Sequence, residues 1–297
     1  MNSIIEATKL TKKFKGHTAL KGINLNIPSG EFVAVLGLNG AGKSTLLKIL
    51  SGILYPDAGE VKVNGFIPYE RKKEFLRDIT LINPQKTRLI IDLSPLDNFR
   101  LFGSAYGLSK KSICEKAESL AEMLNVRDKL KKQVRTLSFG ERVKIEIILG
   151  LLHDPSIIFL DEPFIGLDFI SRKQLVSFLK TFKRKKTLLI TSHIIEGIKD
   201  LVDTVLVLYE GNIIAQIHTE EIKTILQNKV SIEVKSEHDV RLPHVFKSKK
   251  YGIYSAFIDK HDEAAILKEI EDIPGILEIK VRAPELEDFI EALIALK

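Results

Sequence analysis

The sequence predicts an α/β fold with a smaller α+β appendage, and three observations predict it. Three continuous apolar runs, Phe32-Val33-Ala34-Val35-Leu36, Ile157 to Leu160 and Leu188 to Ile190, suit strands buried on both faces of a parallel sheet. Stretches of helical periodicity lie between them, the alternation that builds α/β layers. A glycine-rich turn follows the first run directly, where a strand gives way to a helix.

In chain order, the amino terminus alternates apolar and polar residues, and Ile23, Leu25 and Ile27, then Val61 and Val63, repeat the pattern. These are half-buried strands of an amino-terminal antiparallel β region. From about Pro95 to Leu152 the spacing becomes helical: Ile113, Ala117, Leu120, Ala121 and Leu124 share one helix face. This predicts a helical subdomain over about 86–152. The turn Glu210-Gly211-Asn212 separates the apolar runs Val205 to Leu208 and Ile213-Ile214. Beyond it the chemistry-bearing residues stop. The expected domains are 1–220 and a small α+β unit over 229–297, the latter with strands near Val230 to Val234, Tyr254 to Ile258 and Leu277 to Val281 and helices near Glu263 to Ile270 and Glu285 to Leu296.

Composition narrows the classes. With 44% hydrophobic and 28% charged residues over 297, the chain has the balance of a soluble globular protein. One cysteine, Cys114, excludes an intramolecular disulfide, and Met1 to Lys13 lacks a secretory signal, so a cytoplasmic protein is expected. The most apolar region, Ile145 to Leu160, is broken by Glu146, His153, Asp154 and Pro155, short of the roughly 18 apolar residues of a membrane span. The net charge of +6 is modest for this length and reads as solvated surface, so no nucleic-acid partner is expected. Its densest cluster, Lys183 to Lys186, falls where a helix should end, a place the helix dipole favours for cations.

The strongest signal is Gly37-Leu38-Asn39-Gly40-Ala41-Gly42-Lys43-Ser44, which has the spacing of a P-loop. Its glycines let backbone amides turn toward phosphate oxygens. Lys43 brings a cation to the β and γ phosphates, and the helix that follows points its amino end at them. Ser44 supplies a hydroxyl for Mg²⁺. The second signal is Asp161-Glu162 at the end of the run Ile157 to Leu160. By itself an Asp-Glu pair reads as solvated surface; downstream of a P-loop it reads as metal and water chemistry. Strand side chains alternate faces, so the two acids are expected to take different roles, one holding Mg²⁺ and one polarising a water.

Across about residues 1–215 the order of these motifs resembles the nucleotide-binding subunits of ATP-binding cassette (ABC) transporters, with a P-loop NTPase core. Phe14 lies where the family places an aromatic that stacks on adenine. The resemblance assigns the stretch Gly37 to Thr45 to ATP, and Gln85 in Asn83-Pro84-Gln85 to the loop that senses Mg²⁺ and attacking water and touches the permease. Leu137-Ser138-Phe139-Gly140-Glu141 resembles the family signature, which makes Ser138 and Gly140 contacts to the ATP of a second subunit. Ser138 and Glu141 also have capping-box spacing, so a helix begins there. Gly166-Leu167-Asp168 matches the loop that meets the partner, and Thr191-Ser192-His193 carries the switch histidine. The implied catalytic residues are Glu162 as general base with His193 and Gln85; Ser44, Gln85 and Asp161 serve the metal.

The departures are Phe139 and Glu141, where the family usually has glycine and glutamine. Glu141 brings a negative charge toward a triphosphate, so Glu141→Gln is expected to lower the Michaelis constant for ATP. The resemblance implies ATP and Mg²⁺ as cofactors and a second ABC subunit, identical or different. It implies integral membrane permease subunits as further partners, placing the chain on the cytoplasmic face of the cell membrane. Ala283-Pro284-Glu285-Leu286-Glu287-Asp288-Phe289 looks like the closing helix of single-cassette subunits serving exporters, and equally like an amphipathic helix packing on its own sheet. The alternatives are a non-transport ABC ATPase acting on nucleic acid or ribosomes, which would usually carry two cassettes or a long coiled coil, and a P-loop kinase or switch, which would have no use for the signature helix.

Overall fold

A computed structural model describes residues 3–192, 198–238, 240–243, 245–250 and 252–295. It divides into two compact units, Met1–Gln216 and Ile217–Lys297.

The elements of the first unit are β1 (Ser3–Phe14), β2 (His17–Pro28), β3 (Phe32–Leu36), α1 (Lys43–Leu50), β4 (Ala58–Val63), α2 (Lys73–Asp78) and β5 (Ile79–Ile82). There follow α3 (Pro95–Ala105), α4 (Lys110–Met123), α5 (Phe139–Leu151), β6 (Ile157–Asp161), α6 (Phe169–Lys180), β7 (Thr187–Ser192), β8 (Thr204–Tyr209) and β9 (Asn212–His218).

Strands β2, β1 and β4 form an antiparallel sheet in that order. Its alternation turns Ile5, Leu10, Ile23, Leu25, Ile27, Val61 and Val63 inward. A second sheet has the order β5-β6-β7-β3-β8-β9, and β5, β6, β7, β3 and β8 run parallel. Every residue of β3, β6 and β7 is buried. That is the consequence of layers on both faces, and it is why those three strands read as unbroken apolar runs. The short edge strand β5, Ile79-Thr80-Leu81-Ile82, was not anticipated, because a threonine interrupts the apolar run.

Helices α3, α4 and α5 each start from a serine whose hydroxyl accepts a backbone N–H, at Ser94, Ser109 and Ser138. Helix α4 buries Ile113, Ala117, Leu120 and Ala121, the face its spacing predicts. The basic cluster differs from expectation. Helix α6 ends at Lys180, so Lys183 to Lys186 lie in the turn beyond it; Lys183 and Arg184 meet Asp203, and Lys186 meets Asp154. Lys183, Arg184 and Lys186 thus face carboxylates beyond the helix rather than its last turn.

The second unit contains α7 (Thr219–Gln227), β10 (Lys229–Ser236), β11 (Lys247–Lys250), β12 (Ile253–Asp259), α8 (Glu263–Glu271), β13 (Ile276–Arg282) and α9 (Leu286–Ala295). Its antiparallel sheet has the order β11-β12-β10-β13. One face, bearing Val230, Ile232, Val234, Tyr254, Ala256 and Ile258, packs with Ile270 of α8. On the other, Asp288 of α9 accepts from Ser231 and from both terminal nitrogens of Arg282, and Phe289 meets Phe257 edge-on. The tail segment is thus a helix packed on its own sheet. Among the described residues no helix is long and apolar enough to cross a membrane.

Candidate nucleotide site

The P-loop leaves β3 at Leu36 and enters α1 at Lys43. Its path demands glycine. Gly42 has φ +106°, and a Cβ there would lie 2.5 Å from the Ala19 carbonyl oxygen; a Cβ on Gly37 would collide with the Leu208 carbonyl. Within the loop Ala41 N–H donates to Leu38 O at 3.1 Å. Leu38, Asn39 and Gly40 are accessible, Leu38 at 60%, while Ala41 and Lys43 are buried and Ser44 and Thr45 half-buried. Lys43 Nζ donates to Gly37 O at 2.8 Å and Leu38 O at 3.2 Å and lies 3.4 Å from Glu162 Oε1. The ammonium therefore sits inside the loop's arc.

Parallel register builds the rest. Strand β6 pairs with β7 so that Asp161 lies opposite Thr191, and with β5 so that Leu160 lies opposite Ile82. Asn83, one residue past Ile82, thus falls beside Asp161. Asp161 Oδ1 accepts from Ser44 Oγ at 2.8 Å and Thr191 Oγ1 at 2.7 Å, and Oδ2 accepts from Asn83 Nδ2 at 2.9 Å. The row lies at the carboxyl ends of parallel strands, where open α/β sheets bind ligands.

Simple strand alternation does not hold for the two acids, since both turn toward the P-loop. Glu162 has φ +51°, a conformation rare outside glycine, and its backbone N–H donates to Thr191 Oγ1 at 3.0 Å. Leaving the strand geometry there lets its side chain reach Lys43 while Asp161 meets Ser44. The two acids differ in their neighbours, Ser44, Asn83 and Thr191 against Lys43, and not in the face they occupy.

The remaining predicted residues are more dispersed. Gln85 donates its backbone N–H to Asn83 Oδ1 at 3.0 Å, and its side-chain amide donates to Ile165 O at 3.4 Å in the segment after β6. Phe14, 47% exposed, closes the β1–β2 hairpin opposite His17, with Lys12 Nζ 5.5 Å from its ring centre. His193 lies outside the described residues. Asn83 and Thr191 stand beside Gln85 and His193 in the sequence but carry no motif signal of their own; what identifies them is strand register.

The signature segment starts α5 with the expected capping box. Ser138 N–H donates to Glu141 Oε2 at 2.8 Å, and Glu141 N–H donates to Ser138 Oγ at 3.3 Å. Lys129 Nζ lies 3.0 Å from Glu141 Oε1. Burial pushes the Glu141 carboxyl upward, but the Ser138 N–H and the Lys129 ammonium outweigh it and hold it below the usual range. The charge at Glu141 is therefore countered within the chain. Phe139 lies on Gly166: a Cβ there would be 2.9 Å from the Phe139 ring. Gly140 faces Leu167 and Ser171, and Asp168 caps α6 by accepting the Ser171 N–H at 2.8 Å.

The donors fit a small hard cation. Ser44 Oγ and Asp161 Oδ1 stand 2.8 Å apart beside the buried Lys43. Among the described residues no group of three or more His, Cys, Asp or Glu could hold a metal by itself. One carboxylate and one hydroxyl suit Mg²⁺, which fills its remaining positions with water and phosphate oxygens.

This fold and loop define a P-loop nucleotide-binding protein. The ABC transporter family profile matches residues 20–165. The ABC transporter ATP-binding protein NatA of Bacillus subtilis is 36% identical over 197 residues, covering 66% of this chain and 80% of NatA. The bacitracin transport ATP-binding protein BcrA of Bacillus licheniformis is 28% identical over 307 residues, covering 99% of this chain and 98% of BcrA. A solved dimeric ATP-binding cassette bound to ADP and Pi in a post-hydrolysis state superposes with a TM-score of 0.64 at 26% identity, covering 72% of this chain and 98% of that one. The chain belongs to the family of ABC transporter ATP-binding proteins.

Proposed function

We propose that this chain hydrolyses Mg-ATP at an interface between two cassettes and thereby drives a separate membrane permease in export. The observation that carries the proposal is the convergence of Lys43, Ser44, Asp161 and Glu162 on one loop mouth. The loop amides and Lys43 bind the β and γ phosphates, and Phe14 carries the base. Ser44 and Asp161 hold Mg²⁺, with Gln85 as a further ligand. When bound, the cation offsets phosphate charge. Glu162, anchored 3.4 Å from Lys43 Nζ, is the general base. It accepts a proton from the attacking water as the bond from the γ phosphorus to its bridging oxygen breaks, releasing ADP and phosphate. His193 orients that water.

A signature helix from a second cassette, identical or different, covers the triphosphate. Ser138 and Gly140, at the amino end of α5, perform that service for the partner's site. A permease partner and a peripheral position on the cytoplasmic face of the membrane are supported by the transport names of NatA and BcrA. Export rests on the resemblance of the tail; the match to BcrA, which is named for bacitracin transport, extends through the second unit.

Glu162→Gln tests the core of this. ATP should stay bound while hydrolysis falls by roughly 10²–10⁴-fold, the contribution of a positioned general base. Wild-type turnover in that variant would remove Glu162 from its role. Isolation from membranes should bring an integral membrane protein with the chain, and recovery with nucleic acid instead would favour the non-transport alternative.

A further inference from the structure

Asn83 is neither an acid nor part of the P-loop, yet both halves of its amide are used. Nδ2 donates to Asp161 Oδ2 at 2.9 Å, and Oδ1 accepts the Gln85 N–H at 3.0 Å. The register that brings it there is fixed by four successive parallel pairs, Ile79 with Ile157 through Ile82 with Leu160, so the side chain next in line lies on the same face as Asp161. A hydroxyl is shorter, and a carboxylate cannot donate; an amide supplies a donor and an acceptor at once.

The consequence for Asp161 is geometric. Ser44 and Thr191 both donate to Oδ1, which leaves the carboxylate free to swing about that oxygen; Asn83, on Oδ2, removes the freedom. The consequence for Gln85 is equally direct. Its backbone is tied to the same side chain just where the chain leaves β5, and its own amide reaches on to Ile165 O at 3.4 Å. We propose that Asn83 is a positioning residue that joins the Asp161 carboxylate to the backbone of Gln85, so that the cation site and the loop leaving the sheet at Gln85 are set as one unit. The inference deepens the reading of Asp161 as a Mg²⁺ residue and rests on it for its functional meaning.

The test uses the full chain with Asn83→Ala and Asn83→Asp. One readout is hydrogen exchange of the Gln85 amide without nucleotide; the other is Mn²⁺ binding in the presence of ADP, followed by electron paramagnetic resonance. Asn83→Ala should speed Gln85 exchange by about 3–10-fold and weaken Mn²⁺ binding by a similar factor, the worth of one ordinary hydrogen bond in each case. Asn83→Asp keeps the acceptor, so Gln85 should stay protected within about 2-fold of wild type. The inference is overturned if Asn83→Ala leaves both quantities unchanged, or if Asn83→Asp exposes Gln85 as fully as alanine does. A wild-type chain that fails to bind Mn²⁺ with ADP would instead refute the metal assignment, and the exchange data would still decide whether Asn83 holds Gln85.

Discussion

Replacing Gly166 by alanine tests how the signature segment is held. Gly166 has φ +73°, and a Cβ there would lie 2.9 Å from Phe139 Cε1 and 3.2 Å from Cδ1. Two costs arise. A left-handed alanine costs about 1–2 kcal/mol whatever surrounds it. The added methyl must also displace an aromatic ring at the start of α5 whose centre lies 6.0 Å from the Arg142 guanidinium, and overpacking of that kind costs about 1–3 kcal/mol. The single variant should thus lose about 2–5 kcal/mol. In a Phe139→Gly background the ring is gone and only the backbone cost remains, so the pair should be coupled by about 1–3 kcal/mol. Urea denaturation of the wild type, both single variants and the double variant measures this directly. Additivity within about 0.5 kcal/mol would show that Phe139 and Gly166 do not bear on each other, and the packing argument would fall.

Three further outcomes follow from charge. Burial pushes the Glu146 carboxyl above its usual range despite the Arg88 N–H at 2.7 Å and the Arg88 guanidinium nitrogen at 3.4 Å. A raised carboxyl contributes stability below its unfolded value, near pH 4.3, and loses it as pH rises through the folded value, so Glu146→Gln should gain about 1 kcal/mol at pH 8 and almost nothing at pH 4 in urea titrations. Asp288 is the opposite case: burial pushes it upward, but Arg282 and the Glu285 N–H prevail and hold it below the usual range. Its stabilisation is present above about pH 4 and lost as pH falls through the folded value; Asp288→Asn should cost about 2 kcal/mol at pH 7, reduced from a fully buried pair because Arg282 is 42% exposed, and the gap should close in acid. Glu141→Gln should lower the Michaelis constant for ATP by less than about 3-fold, since Lys129 already counters the charge, and the change should vanish at high salt; an unchanged or higher value at low salt would refute the electrostatic reading.

How much of this was legible in the sequence depends on the range over which each signal acts. The strands β3, β6 and β7 were readable because burial on both faces leaves an unbroken apolar run, and α4 and the Ser138 cap because helical spacing and capping are local chemistry. The edge strand β5 was not, because Thr80 breaks its short apolar run, and its pairing with β6 is what identifies it. Strand β11 escaped for a related reason. Strand β11, Lys247-Ser248-Lys249-Lys250, is almost wholly basic, and pairing with β12 rather than composition creates it.

The site divides in the same way, and the division explains why Asn83 carries no local signal. The P-loop announces itself because its glycines, Lys43 and Ser44 are contiguous, and Asp161-Glu162 because two acids end an apolar run. Asn83 has neither advantage: it is an ordinary polar residue before a proline, the composition of a turn. Its meaning depends on being one step past Ile82 in a strand paired with β6, a relation between residues 78 positions apart. A shift of one residue in that pairing would turn Asn83 to the other face and leave Asp161 Oδ2 without this donor. If Asn83 positions Asp161 as proposed, substitutions that loosen β5 should weaken Mn²⁺ binding with ADP before they lower the urea midpoint.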